Sequence, residues 1–252
     1  VSVRFQELDW RRTALGELAL RRRRYPDVGG VDRDVYEIKL NDEYLMSSLF
    51  TVAELELGRL ALAELAGAAD ATLDVVVGGL GLGCTAQAVL ESPAVRSLVV
   101  VDALAEVIEW HQRELIPSGL AADPRCRLVQ GDFFAMVRTG SGLDPDTRER
   151  RFHAIVVDID HSPRHWLHPG NADLYRPTGL RRLAGMLNPG GVFALWSNDP
   201  PDQEFMSSLA EARAFAEVRA EIVTFDNPLQ GREAANTVYL AVTPLHGAPR
   251  GG

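Results

Sequence analysis

The segment that most restricts how this chain can fold is Val75-Val76-Val77-Gly78-Gly79-Leu80-Gly81-Leu82-Gly83. A short, wholly apolar run reads as a strand buried on both faces, and glycines directly after it let the backbone turn tightly into a helix. The pattern then repeats. Apolar runs at 73–77, 98–101, 127–129, 154–157 and 192–196 alternate with helix-like stretches at 84–91, from Asp102 through Leu115, and at 173–187. Such β-α units predict an α/β architecture: a Rossmann-like, mostly parallel sheet with helices on both faces. Two further strands, near 220–225 and 237–242, close it. The helix at 173–187 is expected to stop at Asn188-Pro189-Gly190-Gly191.

Before residue 51 the period is different. Val3 to Leu8 partly alternates. Pro26, Gly29 and Gly30 mark a loop, Val35 to Leu40 alternates cleanly, Asn41-Asp42 turns, and Tyr44-Leu45-Met46 resumes. This predicts a small antiparallel β-subdomain over residues 1–50, a Rossmann-like domain over 51–243 and a disordered tail over 244–252. The helix that opens the larger domain has Val52, Leu55, Leu60, Leu62 and Leu65 on its apolar positions, Thr51 and Glu54 in a capping-box pattern, and Gly67 as its stop. The arginines at 11–12 and 21–24 alternate sides along a strand, so they form no single patch. They read as a solvated edge strand that resists aggregation.

Charge and cysteine usage exclude several functions. A net charge of −9 argues against a nucleic-acid backbone as partner. No stretch approaches the roughly 20 apolar residues of a membrane span, and Val1 to Trp10 carry charges without an apolar h-region, so a cytoplasmic protein without membrane contact is expected. Two cysteines, Cys84 and Cys126, rule out a disulfide framework and a Cys-rich zinc site.

Three constellations carry chemistry. Gly79, Gly81 and Gly83 stand where a Rossmann-like fold lets backbone approach a ligand at a helix N-terminus. Asp102 follows at about the 20-residue interval of a ribose-binding acid. The dinucleotide pattern would need its third glycine at Cys84, whereas Gly-x-Gly-x-Gly is the form typical of S-adenosylmethionine folds. Asp102, Asp132 and Asp158 end successive strands, where open α/β sheets bind ligands. Asp102 can accept two hydrogen bonds from ribose hydroxyls and Asp132 one from an adenine amino group. The third constellation runs from Asp158 to Pro169 and holds three of the six histidines. It predicts an acceptor site with a base that takes a proton from an amine or hydroxyl nucleophile. Asp158, Asp160 and His161 are its candidates, with Trp166 and Tyr175 as a wall or lid. No metal is expected, because Pro163 and Pro169 break any helix that would align the histidines.

Together, "VVVGGLGLG", "LVVVDALAEVIEWHQREL", "DPRCRLVQGDFFAMV", "FHAIVVDIDHSP" and "LNPGGVFALWS" resemble the spermidine synthase-like family of polyamine aminopropyltransferases over most of the chain. The resemblance implies a methyltransferase-like Rossmann domain behind a small β-domain. It implies S-adenosylmethionine or its decarboxylated form as co-substrate, an amine acceptor and a homodimer. Asp102 takes the place of the acid that holds the donor ribose, Asp132 of the acid near adenine, and Asp158 of the aspartate that deprotonates the attacking amine. Three positions depart. Gly81 stands where the family's aspartate holds the aminopropyl ammonium. His161 stands where its second aspartate holds the polyamine, with Asp160 one residue earlier. Of its Gln and Tyr-x-Glu segment only Glu54 is matched. The expected function is therefore alkylation of an amine that need not be a standard polyamine. The alternatives are methyl transfer from intact S-adenosylmethionine and a non-catalytic nucleoside-binding or dimer-forming relative.

Overall fold

The structure, a computed structural model, describes residues 5–26, 32–41, 43–66, 72–227 and 232–245. The expected turn residues Gly29, Gly30 and Asp42, the helix stop Gly67 and most of the tail lie outside them.

Four antiparallel strands form the N-terminal sheet in chain order: β1 (Phe5–Thr13), β2 (Gly16–Pro26), β3 (Asp32–Leu40) and β4 (Glu43–Ser47). Leu18, Leu20 and Ile38 bury its inner face. Arg11 and Arg12 lie on the edge strand β1 as expected, but the longer arginine run does not form an edge: Arg21 to Arg24 lie on β2, between β1 and β3. An interior strand tolerates them because opposite charges face them across the sheet. Arg21 pairs with Glu7 at 3.4 Å, Arg23 with Glu37 at 3.1 Å and Arg24 with Asp34 at 3.5 Å. The Arg21 and Arg23 guanidiniums also lie over the Phe5 ring.

Helix α1 (Val52–Ala63) follows. The expected capping box does not form, since the Thr51 side chain makes no capping hydrogen bond. Glu54 is used elsewhere, in a cavity wall.

The second sheet has seven strands: β5 (Leu73–Gly78), β6 (Val95–Asp102), β7 (Cys126–Gln130), β8 (Phe152–Val157), β9 (Leu187–Ser197), β10 (Glu217–Asn227) and β11 (Arg232–Val242). Their order is β10-β11-β9-β8-β5-β6-β7, with β5 to β9 parallel and the last hairpin antiparallel. Helices α2 (Cys84–Leu90), α3 (Ala105–Gln112), α4 (Phe133–Thr139), α5 (Pro177–Ala184) and α6 (Gln203–Glu211) connect them. Alternate residues of one strand feed two cores, as the two-residue period of a strand requires. Val75, Val77, Leu98, Val100 and Val156 pack with Leu57 of α1 and with Leu18, Leu20 and Ile38 of the N-terminal sheet. Val76, Val99, Val101, Ile155 and Val157 pack with Phe133, Leu180, Leu183 and Phe205 on the other face. The first core thus joins both sheets through α1.

One boundary differs from expectation. The stretch 173–187 is not a single helix: a 3-10 turn at Pro169–Asp173 precedes α5, which starts at Pro177 and ends at Ala184. Asn188-Pro189-Gly190-Gly191 does not stop a helix but lies within β9. Phe152 pairs with Leu187 and Ala154 with Val192, so three extra residues of β9 bulge there. Gly190 adopts φ +72°. Among the described residues no helix is long and apolar enough to cross a membrane.

Candidate functional site

In a parallel sheet all strands deliver their C-terminal ends to one edge. The chain leaves β5 toward β6 on one side and later returns as β8 on the other, which opens a crevice at that point. A cavity of about 370 Å³ lies there. Gly79, Gly81, Asp102, Asp132, Asp158 and His161 all line it, as does Glu54 from α1. The N-terminal sheet closes it from above with Leu15, Ile38, Leu40, Leu45 and Met46. The β1–β2 hairpin is held over α3 by the Trp110 indole N–H, which donates to Asp9 Oδ2 at 2.8 Å, and by Arg11 with Glu109.

The glycine loop is shaped by close approaches. Gly79 has φ +95°, and a Cβ on it would collide with the Asp158 carbonyl oxygen. Gly81 has φ +47°, and its Cβ would lie 2.8 Å from Met46 Sδ. That sulfur also accepts the Leu82 N–H at 3.2 Å, so β4 is keyed onto the loop. Gly83 precedes α2 but does not reach the cavity; it packs against His111 and Leu120. His111 braces the loop from behind and was not legible as such in the sequence. Its Nε2 lies 2.9 Å from the Gly81 carbonyl oxygen and its Nδ1 2.6 Å from Ser118 Oγ. A carbonyl only accepts, so Nε2 carries the proton. Burial lowers the His111 pKa and keeps the ring neutral.

Asp102 holds the same loop from the front. Its Oδ2 accepts the Leu80 N–H at 2.9 Å and its Oδ1 the Leu104 N–H at 2.8 Å. Burial pushes its pKa up, while these backbone hydrogen bonds pull it down. Each oxygen keeps a lone pair for a further donor. Asp132 caps α4, accepting the Ala135 N–H at 2.9 Å, and is otherwise exposed.

Asp158 and Glu54 form the acidic centre of the cavity. The Thr85 hydroxyl, at the start of α2, donates to Asp158 Oδ2 at 2.7 Å and sits 3.3 Å from the Glu54 carbonyl oxygen. Burial pushes Asp158 up to about 6 against that hydrogen bond. Burial, and then the charge of Asp158, push Glu54 up to about 8. The neighbouring Cys84 thiol is pushed up to about 12, by burial and then by both carboxylates, so it is no nucleophile. Two carboxyls that cannot ionise together are the arrangement that separates acid and base roles.

This pair has a stability consequence. Glu54 stays protonated in the folded protein up to about pH 8 but ionises from 4.5 once unfolded. Between those values the native state binds more protons, so its stability falls as pH rises. Glu54→Gln has no charge to bury and escapes that loss. Its Tm is expected to match wild type below pH 4.5 and to exceed it by about 2–4 °C per kcal/mol recovered at pH 8. Melting curves across that range check this; a Tm difference independent of pH contradicts it.

The segment after β8 separates its candidates. Asp160 does not line the cavity. It is buried, accepting the Leu167 N–H at 2.7 Å, the Asn171 side-chain amide at 2.9 Å and the Tyr175 hydroxyl at 2.7 Å. It organises the loop through these three partners. Tyr175 is likewise buried on Asp160, and Trp166 is exposed with its N–H on the Pro163 carbonyl at 2.7 Å, so neither forms the expected wall or lid. Ser162 Oγ and Asp199 Oδ2 lie 3.1 and 3.0 Å from His165, but both on Nδ1. A proton relay needs both ring nitrogens, so this is no nucleophilic triad. Among the described residues no group of three or more His, Cys, Asp or Glu is placed to hold a metal ion.

No protein-family model matches this chain, and no curated protein matches its sequence. Solved structures do. A spermidine synthase in complex with the transition-state analogue AdoDATO superposes with a TM-score of 0.70 at 16% identity, covering 96% of this chain and 75% of that one. The spermidine synthase from Thermotoga maritima gives 0.68 at 16% identity, covering 96% and 74%. The chain therefore has a spermidine synthase-like fold, a Rossmann-type parallel sheet behind an N-terminal antiparallel sheet.

Proposed function

We propose that the protein is a transferase that alkylates an amine from the sulfonium of S-adenosylmethionine or its decarboxylated form. The observation that carries this reading is one cavity that joins the nucleoside-side acids Asp102 and Asp132 to the half-buried pair Asp158 and Glu54. Asp102 and Asp132 have lone pairs for ribose hydroxyls and an adenine amino group, and the Gly79–Gly81 backbone forms the adjoining wall. The amine nitrogen attacks a carbon bonded to the sulfonium sulfur. The N–C bond forms as the C–S bond breaks, and its electron pair goes to sulfur, whose charge disappears. The protein has to align the two reactants and remove a proton from an alkylammonium of pKa about 10. Asp158, half-buried in the cavity wall with Glu54, takes that proton. His161, on the same wall, helps seat the acceptor. Donor and acceptor are small molecules, and the working unit is proposed to be a cytoplasmic homodimer.

A second reading, methyl transfer from intact S-adenosylmethionine, is favoured by Gly81. No carboxylate projects from that position to repel the methionine carboxylate, and Met46 occupies the space a side chain would need. Calorimetric titration with methylthioadenosine, S-adenosylmethionine and its decarboxylated form separates the two. Binding of the decarboxylated donor but not the intact one selects aminopropyl transfer. Binding of S-adenosylmethionine and S-adenosylhomocysteine selects methyl transfer. Absence of all binding points to a non-catalytic relative.

A further inference from the structure

The cavity is chemically uneven. Among the described residues its carboxyl groups are Glu54, Asp102, Asp132 and Asp158. Asp102 and Asp132 end β6 and follow β7, on the donor side, and both already accept backbone N–H groups. Among the described residues, only Glu54 and Asp158 remain for an acceptor. On their side of β5 the wall is Trp196 from β9, which stands one strand over from Asp158, because Val157 pairs with Leu195 in register. Ile38, Leu40, Leu45 and Met46 of the N-terminal sheet also line the cavity. None of these five carries a charge, and their side chains also pack into or against the core shared by the two sheets.

We propose that the acceptor is a monoamine, one amino group on an otherwise apolar body, and not a diamine or polyamine. This rests on the amine-transfer reading above and names its substrate class. Glu54 and Asp158 titrate as a pair, at about 8 and about 6, so near neutral pH they carry one negative charge between them. One charge complements one ammonium. The second ammonium of a diamine has to leave water for Leu40, Leu45 and Trp196, or lie beside His161, His168 or Asn171, and among the described residues no further carboxylate lines the cavity there. An unpaired buried charge is strongly disfavoured. A methyl group in the same place gains from burial.

The test compares pentylamine with 1,4-diaminobutane, which differ by a methyl in place of one ammonium. Each is titrated calorimetrically into the protein saturated with methylthioadenosine, together with the butyl and hexyl amines. Pentylamine is expected to bind at least ten-fold more tightly than the diamine. Affinity is expected to rise by roughly four-fold per added methylene along the alkyl series. Leu45→Glu, which places a carboxylate in the apolar wall, is expected to shift preference toward the diamine. Tighter binding of 1,4-diaminobutane to the wild type overturns the proposal. So does methylthioadenosine binding with no amine binding at all, which leaves the nucleoside site standing. If methylthioadenosine itself fails to bind, the transfer reading falls and takes the monoamine proposal with it.

Discussion

Asp158→Asn is expected to bind methylthioadenosine as wild type does and to alkylate amines roughly 10²–10⁴-fold more slowly, the contribution usual for a general base. The asparagine keeps the shape of the site and can still accept the Thr85 hydroxyl hydrogen bond, so the fold and the donor side are undisturbed. What it cannot do is hold a proton. The wild-type rate should fall on the acid side as Asp158 protonates, with an apparent pKa near 6 that belongs to the pair with Glu54. Thr85→Val removes the hydrogen bond that favours the carboxylate, so its pKa rises and the acid limb moves to higher pH. Rate, donor affinity and melting temperature measured on the same variants decide the matter. A folded Asp158→Asn enzyme with unchanged turnover removes this residue from the role. His161→Ala is expected mainly to weaken acceptor binding, and a larger rate loss there moves the base to His161.

Asp102→Ala should weaken methylthioadenosine binding by at least roughly 100-fold. Two hydrogen bonds from ribose hydroxyls to a charged group are lost, each contributing about 1.5–3 kcal/mol. The geometry adds a second cause. The same carboxylate fixes the Leu80 and Leu104 N–H groups, so its removal also frees the glycine loop that forms the neighbouring wall. Asp102→Asn is not a mild substitute, because its amide turns one donor toward a backbone N–H. Since the residue ends a strand outside the apolar cores, the protein should still fold, with a melting temperature lowered by the loss of the acceptor for the Leu80 and Leu104 N–H groups. Calorimetry beside a melting curve checks both parts. Unchanged affinity in a folded Asp102→Ala protein shows that the nucleoside does not sit there.

Much of this molecule was readable in its one-dimensional pattern. The five apolar runs became β5 to β9, and the alternation before residue 51 became the four-stranded sheet, because side-chain period and burial follow directly from backbone geometry. The acids at strand ends reached one cavity for the same reason: a parallel sheet sends all its C-terminal ends to one edge. Where reading failed, distant packing decided. Arg21 to Arg24 looked like an edge because their neighbours across the sheet, Glu7, Asp34 and Glu37, are not their neighbours in sequence. Asn188 to Gly191 looked like a helix stop because a bulge in β9 uses the same residues.

The site divides in the same way. The sequence by itself determined which strands end in carboxylates and where the glycines turn, since both depend on residues within one β-α unit. Three things were left to the tertiary structure. Asp160 faces into its own loop and binds Tyr175, while His161, one residue on, faces the cavity. Met46 of the N-terminal sheet occupies the space at Gly81. Glu54, which reads locally as a helix cap, lies instead against Asp158, more than a hundred residues away in the chain. Short-range propensity carries no information about that meeting. It is set by the shared apolar core that presses α1 onto the main sheet and brings both half-buried carboxyls to one cavity wall.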